Sequence, residues 1–193
     1  MTRLIVGLGN PGPAYVQTRH NIGFMVAGRL GERWKIVFRR KGCSALFGEG
    51  IFSGAAVKLV MPQTFMNASG ESAACLARRW KMKPSDLLVV CDDVALPLGT
   101  VRIRGEGSAG GQLGLASILE AFGTKEVPRL RVGIRSARTG GDLTGYVLAR
   151  FAAGEKALLE QGIFCAVEAC EMWISHGVNA AMNRFNRKLK ERE

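Results

Sequence analysis

Histidine stands at only two positions of the chain, His20 and His176. An imidazole titrates near neutrality, so it can take a proton from water and give it back. His20 lies in Thr18-Arg19-His20-Asn21, just ahead of a segment with helical spacing. Its plain alternative is a polar residue at a helix start. His176 falls late in a long helical segment, where a cation suits the helix dipole, and it is assigned no chemistry. The natural partner for His20 is the pair Asp92-Asp93, which closes the apolar run Leu87-Leu88-Val89-Val90-Cys91. Sites of α/β sheets form at the carboxyl ends of such strands. One carboxylate accepting the Nδ1 hydrogen would fix the histidine tautomer and raise its basicity. A turn-initiating aspartate pair, given Pro97 and Gly99 downstream, is the structural alternative. No serine lies in a GxSxG turn and no cysteine adjoins a histidine, so the nucleophile expected for His20 is a water.

Two glycine-rich stretches could shape such a site. Gly7-Leu8-Gly9-Asn10-Pro11-Gly12 satisfies GxGxxG after a strand, a pattern that also marks dinucleotide loops. Here the acidic partner expected about 20 residues on would be Glu32, inside a helical stretch rather than at a strand end. Pro11 also removes an amide N–H that a phosphate loop would use. A nucleotide-dependent oxidoreductase is therefore disfavoured. The second stretch, Gly105 to Gly114, precedes a helix and could offer backbone amides to a phosphate or line a narrow groove. A flexible connection is its plain alternative.

Positioning these groups requires an alternation of strands and helices. Leu4 to Gly7 reads as a strand, and residues 20–33 as a helix with Ile22, Val26 and Leu30 on one stripe. Trp34 to Phe38, Ala45 to Phe52 and Ala55 to Met61 read as strands, Thr64 to Trp80 as a helix stopped by Lys83-Pro84. The 87–91 run is the pattern of a strand buried on both faces. Val101 to Arg104 and Leu130 to Ile134 are further strands, with Leu113 to Phe122 a helix between them. Ala153 to His176 is a long helix, followed by a basic helical tail over about 178–193. This order predicts one three-layer α/β domain over 1–193, a mixed, mostly parallel sheet flanked by helices.

Bulk composition narrows the partner. With 27 Lys+Arg against 16 Asp+Glu the net charge is +11, and the pI is about 10. Such a surplus favours a polyanion, although a generally basic soluble surface gives the same count. Arg39-Arg40-Lys41 and Arg184 to Arg192 are the densest clusters. No apolar run approaches the roughly 18–20 residues of a membrane span. Five cysteines, odd in number and without a CxxC pair, argue against a disulfide framework or a zinc site and for buried, reduced thiols in a cytosolic compartment.

Seven stretches taken in order resemble the bacterial peptidyl-tRNA hydrolase family. They are residues 6–12; Tyr15 with Thr18-Arg19-His20-Asn21-Ile22-Gly23; Pro62-Gln63-Thr64-Phe65-Met66-Asn67-Ala68-Ser69-Gly70; Asp92-Asp93; Gly107-Ser108-Ala109-Gly110-Gly111; residues 129–134; and Ala181-Met182-Asn183-Arg184-Phe185-Asn186. The resemblance implies a monomeric cytoplasmic enzyme that cleaves the ester between a peptide and its tRNA, without metal or organic cofactor. It makes His20 the general base, Asp92 its supporting carboxylate, and Asn10 and Asn67 the groups that hold peptide backbone and water. Tyr15, Phe65 and Met66 would wall the cleft, Gly110 and Gly111 would line it, and Arg104 and Arg131 would grip tRNA phosphate. The chain departs from the family after Gly111, where His-Asn-Gly-Leu is usual and Gln112-Leu113-Gly114-Leu115 stands. That departure keeps a second reading in view, an RNA-binding protein on the same fold with weakened catalysis.

Overall fold

The computed structural model describes residues 2–137, 139 and 141–186. Seven strands form a single sheet in the order β2-β3-β4-β1-β5-β7-β6. They are β1 (Thr2–Gly7), β2 (Arg40–Gly42), β3 (Ala45–Phe52), β4 (Ala55–Pro62), β5 (Leu87–Pro97), β6 (Val101–Arg104) and β7 (Arg129–Arg135). The central strands β4, β1, β5 and β7 run parallel, and both edges are antiparallel. The helices are α1 (Ile22–Trp34), α2 (Ser69–Arg79), α3 (Leu113–Phe122), α4 (Leu143–Leu148) and α5 (Lys156–Phe185).

Alternation along the central strands divides the core into two layers. Ile5, Leu88 and Val90 pack with Ile22, Val26 and Leu30 of α1 and with Val167, Cys170 and Trp173 of α5. Leu4, Val6, Leu87, Val89 and Cys91 face the other way, onto Ala73 and Leu76 of α2 and Leu115 and Ile118 of α3. The fold is thus the expected three-layer sandwich, and β1 and β5 meet at its centre with their carboxyl ends together.

Several local expectations change. Trp34 to Phe38 is not a strand: Trp34 ends α1, Lys35 takes a left-handed conformation that closes the helix, and pairing starts only at Arg40. The 64–80 helix begins at Ser69, after a 3-10 turn over Met66–Ala68. β5 continues through Asp92 and Asp93, because β7 keeps pairing with it there, Asp92 opposite Val132 and Asp93 opposite Gly133. The last helix runs on to Phe185 across a break at Gly177, whose φ is 80°. Residues 187–193 of the expected basic tail lie outside the described residues.

The cysteine expectation is also corrected. Cys43, between β2 and β3, is disulfide-bonded to Cys75 on α2, with their Cα atoms 5.8 Å apart. An odd count does not forbid one pair; packing α2 under the β2–β3 corner brings the two together. Cys91 and Cys170 are buried free thiols, and burial pushes the Cys91 thiol up to about 12.

Candidate active site

At the carboxyl ends of β1 and β5 lies a cleft of about 470 Å³. It is lined by Asn10, His20, Phe65, Met66, Asn67, Asp92, Gly110, Gly111, Gln112, Leu113 and Arg131, together with one side of α4. Asp92 continues the Leu88–Val90 row of β5, the row that packs on α1, which directs it towards the segment entering that helix. There His20, in a 3-10 turn over Arg19–Asn21, places Nδ1 2.9 Å from Asp92 Oδ2. Only 12% of the His20 side chain and 4% of the Asp92 side chain are exposed. A nitrogen facing a carboxylate must be protonated, so Nδ1 donates, and in the neutral imidazole Nε2 carries the lone pair. No described residue engages Nε2, which leaves it free to accept a proton on the cleft wall.

The turn carrying His20 is fixed on both sides. Arg19, itself buried, donates to the Arg150 carbonyl at 2.6 Å and pairs with Glu155 at 2.7 Å. Its guanidinium stacks over the rings of Tyr146, at 4.4 Å, and Phe151, at 5.1 Å. Tyr146 in turn donates to the Ile134 carbonyl at the end of β7. This packing seats α4, which the sequence pattern did not suggest, with Leu143, Thr144, Val147 and Leu148 over the cleft. The readable signal was Asp142, which caps α4 by accepting the Thr144 N–H.

Asn21 positions the first asparagine of the site. Its amide makes two 2.9 Å hydrogen bonds to the main chain of Asn10, one to the N–H and one to the carbonyl. The Asn10 Oδ1 then accepts the Met66 N–H at 2.8 Å, tying the first glycine-rich loop to the segment before α2. Its Nδ2 has no partner among the described residues and remains available to an acceptor in the cleft. Asn67 is exposed on the same wall. Gly7 and Gly9 serve close packing rather than phosphate binding: a Cβ on Gly7 would lie 2.3 Å from the Gly23 carbonyl oxygen, and one on Gly9 2.7 Å from the Phe24 ring.

The second glycine-rich loop is held by two guanidinium groups, the buried Arg129 and the half-buried Arg131. Arg129 donates to the carbonyls of Gly107, Ser108, Lys125 and Val127. Burial, and then the neighbouring Arg131, push its pKa down. Arg131 pairs with Asp93 at 3.1 Å and donates to the carbonyls of Ser108 and Ala109. Gly110 and Gly111 take positive φ values of 56° and 84°, which turns the loop past the cleft. No described group accepts from either N–H.

The predicted site residues therefore converge, with two exceptions. Tyr15 is half-buried beside the turn that leads to His20 and does not line the cleft. Arg104 opens instead on an adjoining groove shared with Arg102 and Arg131. Arg102 went unnoticed in the sequence, although the alternation over Val101–Arg104 puts it on the same exposed side as Arg104. Phe65 (62% exposed) and Leu113 (60% exposed) give the cleft an apolar rim. Among the described residues, no group of three or more His, Cys, Asp or Glu side chains is placed to hold a metal ion, and no helix is long and apolar enough to cross a membrane.

Comparison with known proteins identifies the family. The model of the peptidyl-tRNA hydrolase family matches residues 4–193. A peptidyl-tRNA hydrolase from Synechococcus sp. (strain JA-3-3Ab) is 45% identical over 185 residues, covering 95% of this chain and 82% of that protein. One from Brevibacillus brevis is 42% identical over 184 residues, covering 95% and 97%. The crystal structure of peptidyl-tRNA hydrolase from Acinetobacter baumannii superposes with a TM-score of 0.89 at 32% identity, over 96% of this chain and 94% of that one. With the fold and nearly the full length in agreement, the chain belongs to the peptidyl-tRNA hydrolase family.

Proposed function

We propose that this protein hydrolyses the ester joining a peptide, or an N-blocked aminoacyl group, to tRNA, and that His20 is the base that activates the attacking water. The observation that carries the reading is the His20–Asp92 pair, whose unengaged Nε2 stands on a cleft walled by Asn10, Asn67 and apolar side chains. A water hydrogen-bonded to Nε2 gives up its proton as its oxygen attacks the ester carbonyl. Asp92 steadies the imidazolium that forms. As the carbon–oxygen bond to the ribose breaks, the same proton passes to the departing ribose oxygen.

The remaining groups supply binding and charge stabilisation. The free Nδ2 of Asn10 and the carboxamide of Asn67 offer both donors and acceptors, which suits a peptide bond and an oxyanion without adding acid–base chemistry. Phe65, Met66, Leu113 and α4 shield the ester from bulk water. Arg102 and Arg104, on the exposed side of β6, provide the phosphate contacts, and the net charge of +11 favours the approach of tRNA. The protein would act as a cytoplasmic monomer on peptidyl-tRNA.

The test is incubation with an N-blocked aminoacyl-tRNA. Free tRNA should appear, and His20→Ala should slow its release at least ~100-fold. A variant that retained full activity would remove His20 from its role. Tight RNA binding by the unaltered protein without ester cleavage, even at high protein concentration, would instead identify an RNA-binding protein on this fold.

A further inference from the structure

We infer that Gln112 is a positioning residue for the reaction: its side chain holds Asp92 in the orientation from which Asp92 orients His20. The inference rests on the reading of His20 as the base. A buried carboxylate needs hydrogen-bond donors for both of its oxygens. Asp92 Oδ2 takes the His20 Nδ1–H, and Oδ1 takes Gln112 Nε2 at 3.0 Å. Without the second bond the carboxylate could rotate away from the imidazole.

Gln112 can serve this way because its own amide has no freedom. It is buried, and its Oε1 accepts the Leu115 N–H at 2.6 Å, capping α3. Its Nε2 also lies 3.3 Å from the Met66 sulfur. Reversing the amide would aim Oε1 at the Asp92 carboxylate and the NH₂ group at the Leu115 N–H, opposing acceptor to acceptor and donor to donor. The α3 cap thus dictates which end of the amide meets Asp92. Where the family usually carries a histidine, this chain has a donor that does not titrate, so the support of Asp92 stays constant with pH.

Few other charges face the pair. Asp93 is paired with Arg131, and Arg19 turns to Glu155 and the Arg150 carbonyl. The buried Cys91 thiol stays neutral at physiological pH. The cleft-lining residues of α4, of residues 65–67 and of the start of α3 carry no charge.

Gln112→Glu separates the two tasks of this side chain. It keeps an acceptor for the Leu115 N–H in either protonation state, but it can donate to Asp92 only while the two carboxyl groups share a proton. The expected result is a kcat that falls about tenfold at high pH, a part of the ~10²–10⁴-fold supplied by general base catalysis. That deficit should shrink as pH falls, with KM changed less than about twofold. Gln112→Met, which keeps the length of the side chain and donates nothing, should show a similar loss without the pH grading. Wild-type kcat for Gln112→Glu at high pH, with loss confined to Gln112→Met, would reduce Gln112 to a helix cap and overturn the inference; a loss in Gln112→Glu that does not shrink as pH falls would overturn it too, because it would not follow donation to Asp92. His20→Ala, assayed alongside, separates the two levels. An inactive His20→Ala beside a fully active Gln112→Glu removes only Gln112, whereas an active His20→Ala removes the base and with it this role.

Discussion

Asp92 illustrates how much a single side chain can depend on having two equivalent oxygens. Both are occupied, by donors from opposite sides of the cleft. In Asp92→Asn one oxygen becomes an NH₂ group, so either His20 or Gln112 must face a donor instead of an acceptor. We expect kcat to fall by roughly 10²-fold or more with KM nearly unchanged, since the defect lies in the tautomer of His20 and not in binding. Steady-state kinetics showing less than a tenfold loss would argue that His20 holds its orientation without this carboxylate. The pair was legible in the sequence because few residue types titrate near neutrality and because buried strands deliver their carboxyl ends to sites. Asn21 was not, since a carboxamide bracing a loop 11 positions earlier can be recognised only once the loop has folded back. Arg131, expected on tRNA phosphate, shares the groove of Arg102 and Arg104 and also binds Asp93 and two loop carbonyls, and sequence spacing carries no information about such internal partners.

At the scale of elements, the site depends on how closely α1 approaches the centre of the sheet. A Cβ on Gly23 would lie 2.4 Å from the Leu8 nitrogen and 2.4 Å from the Val90 carbonyl oxygen, both main-chain atoms. Gly23→Ala must therefore push α1 outward, and with it the turn that holds His20. Overpacking of this kind costs about 1–3 kcal/mol. The expected outcome is a lower melting temperature together with a lower kcat, and a variant with both unchanged would mean that α1 does not set the position of His20. β3 and α3 were readable to the residue, β3 because Gly42 and Ser53-Gly54 break the chain on either side of it. Trp34 to Phe38 misled because an apolar run continued past the helix end; what stops α1 is the left-handed Lys35, which periodicity does not register. α4 escaped because six residues are too few for a period to appear.

The molecule as a whole makes two further predictions. If Arg102 and Arg104 carry phosphate contacts, replacing either by alanine should weaken tRNA binding and reduce the slope of log affinity against log salt by about one. Unchanged slopes in both would place the RNA elsewhere. Arg131→Ala should differ, impairing cleavage as well, because it releases the loop that bears Gly110 and Gly111. The Cys43–Cys75 bond closes a loop across a sequence separation of 32, which corresponds to a stabilisation of roughly 4 kcal/mol in the chain-entropy account. A reductant should lower the melting temperature by about 10 °C. The unreduced protein should titrate three thiols in denaturant, those of Cys91, Cys165 and Cys170. Five titrated thiols would show that the bond is not formed. Counting cysteines by parity could not reveal this bond, because the count says nothing of which corner of the sheet lies over which helix.

The tie between Arg19 and Glu155 joins residues 136 positions apart, and Asp92 gains its neighbour Val132 only when β7 is in place. During synthesis His20 therefore leaves the ribosome long before anything can hold it. A nascent chain arrested between Asp92 and Glu155, itself still esterified to its own tRNA, contains both His20 and Asp92 but not the anchor that seats the histidine. The seat of His20 is therefore completed only once β7 and Glu155 have been made.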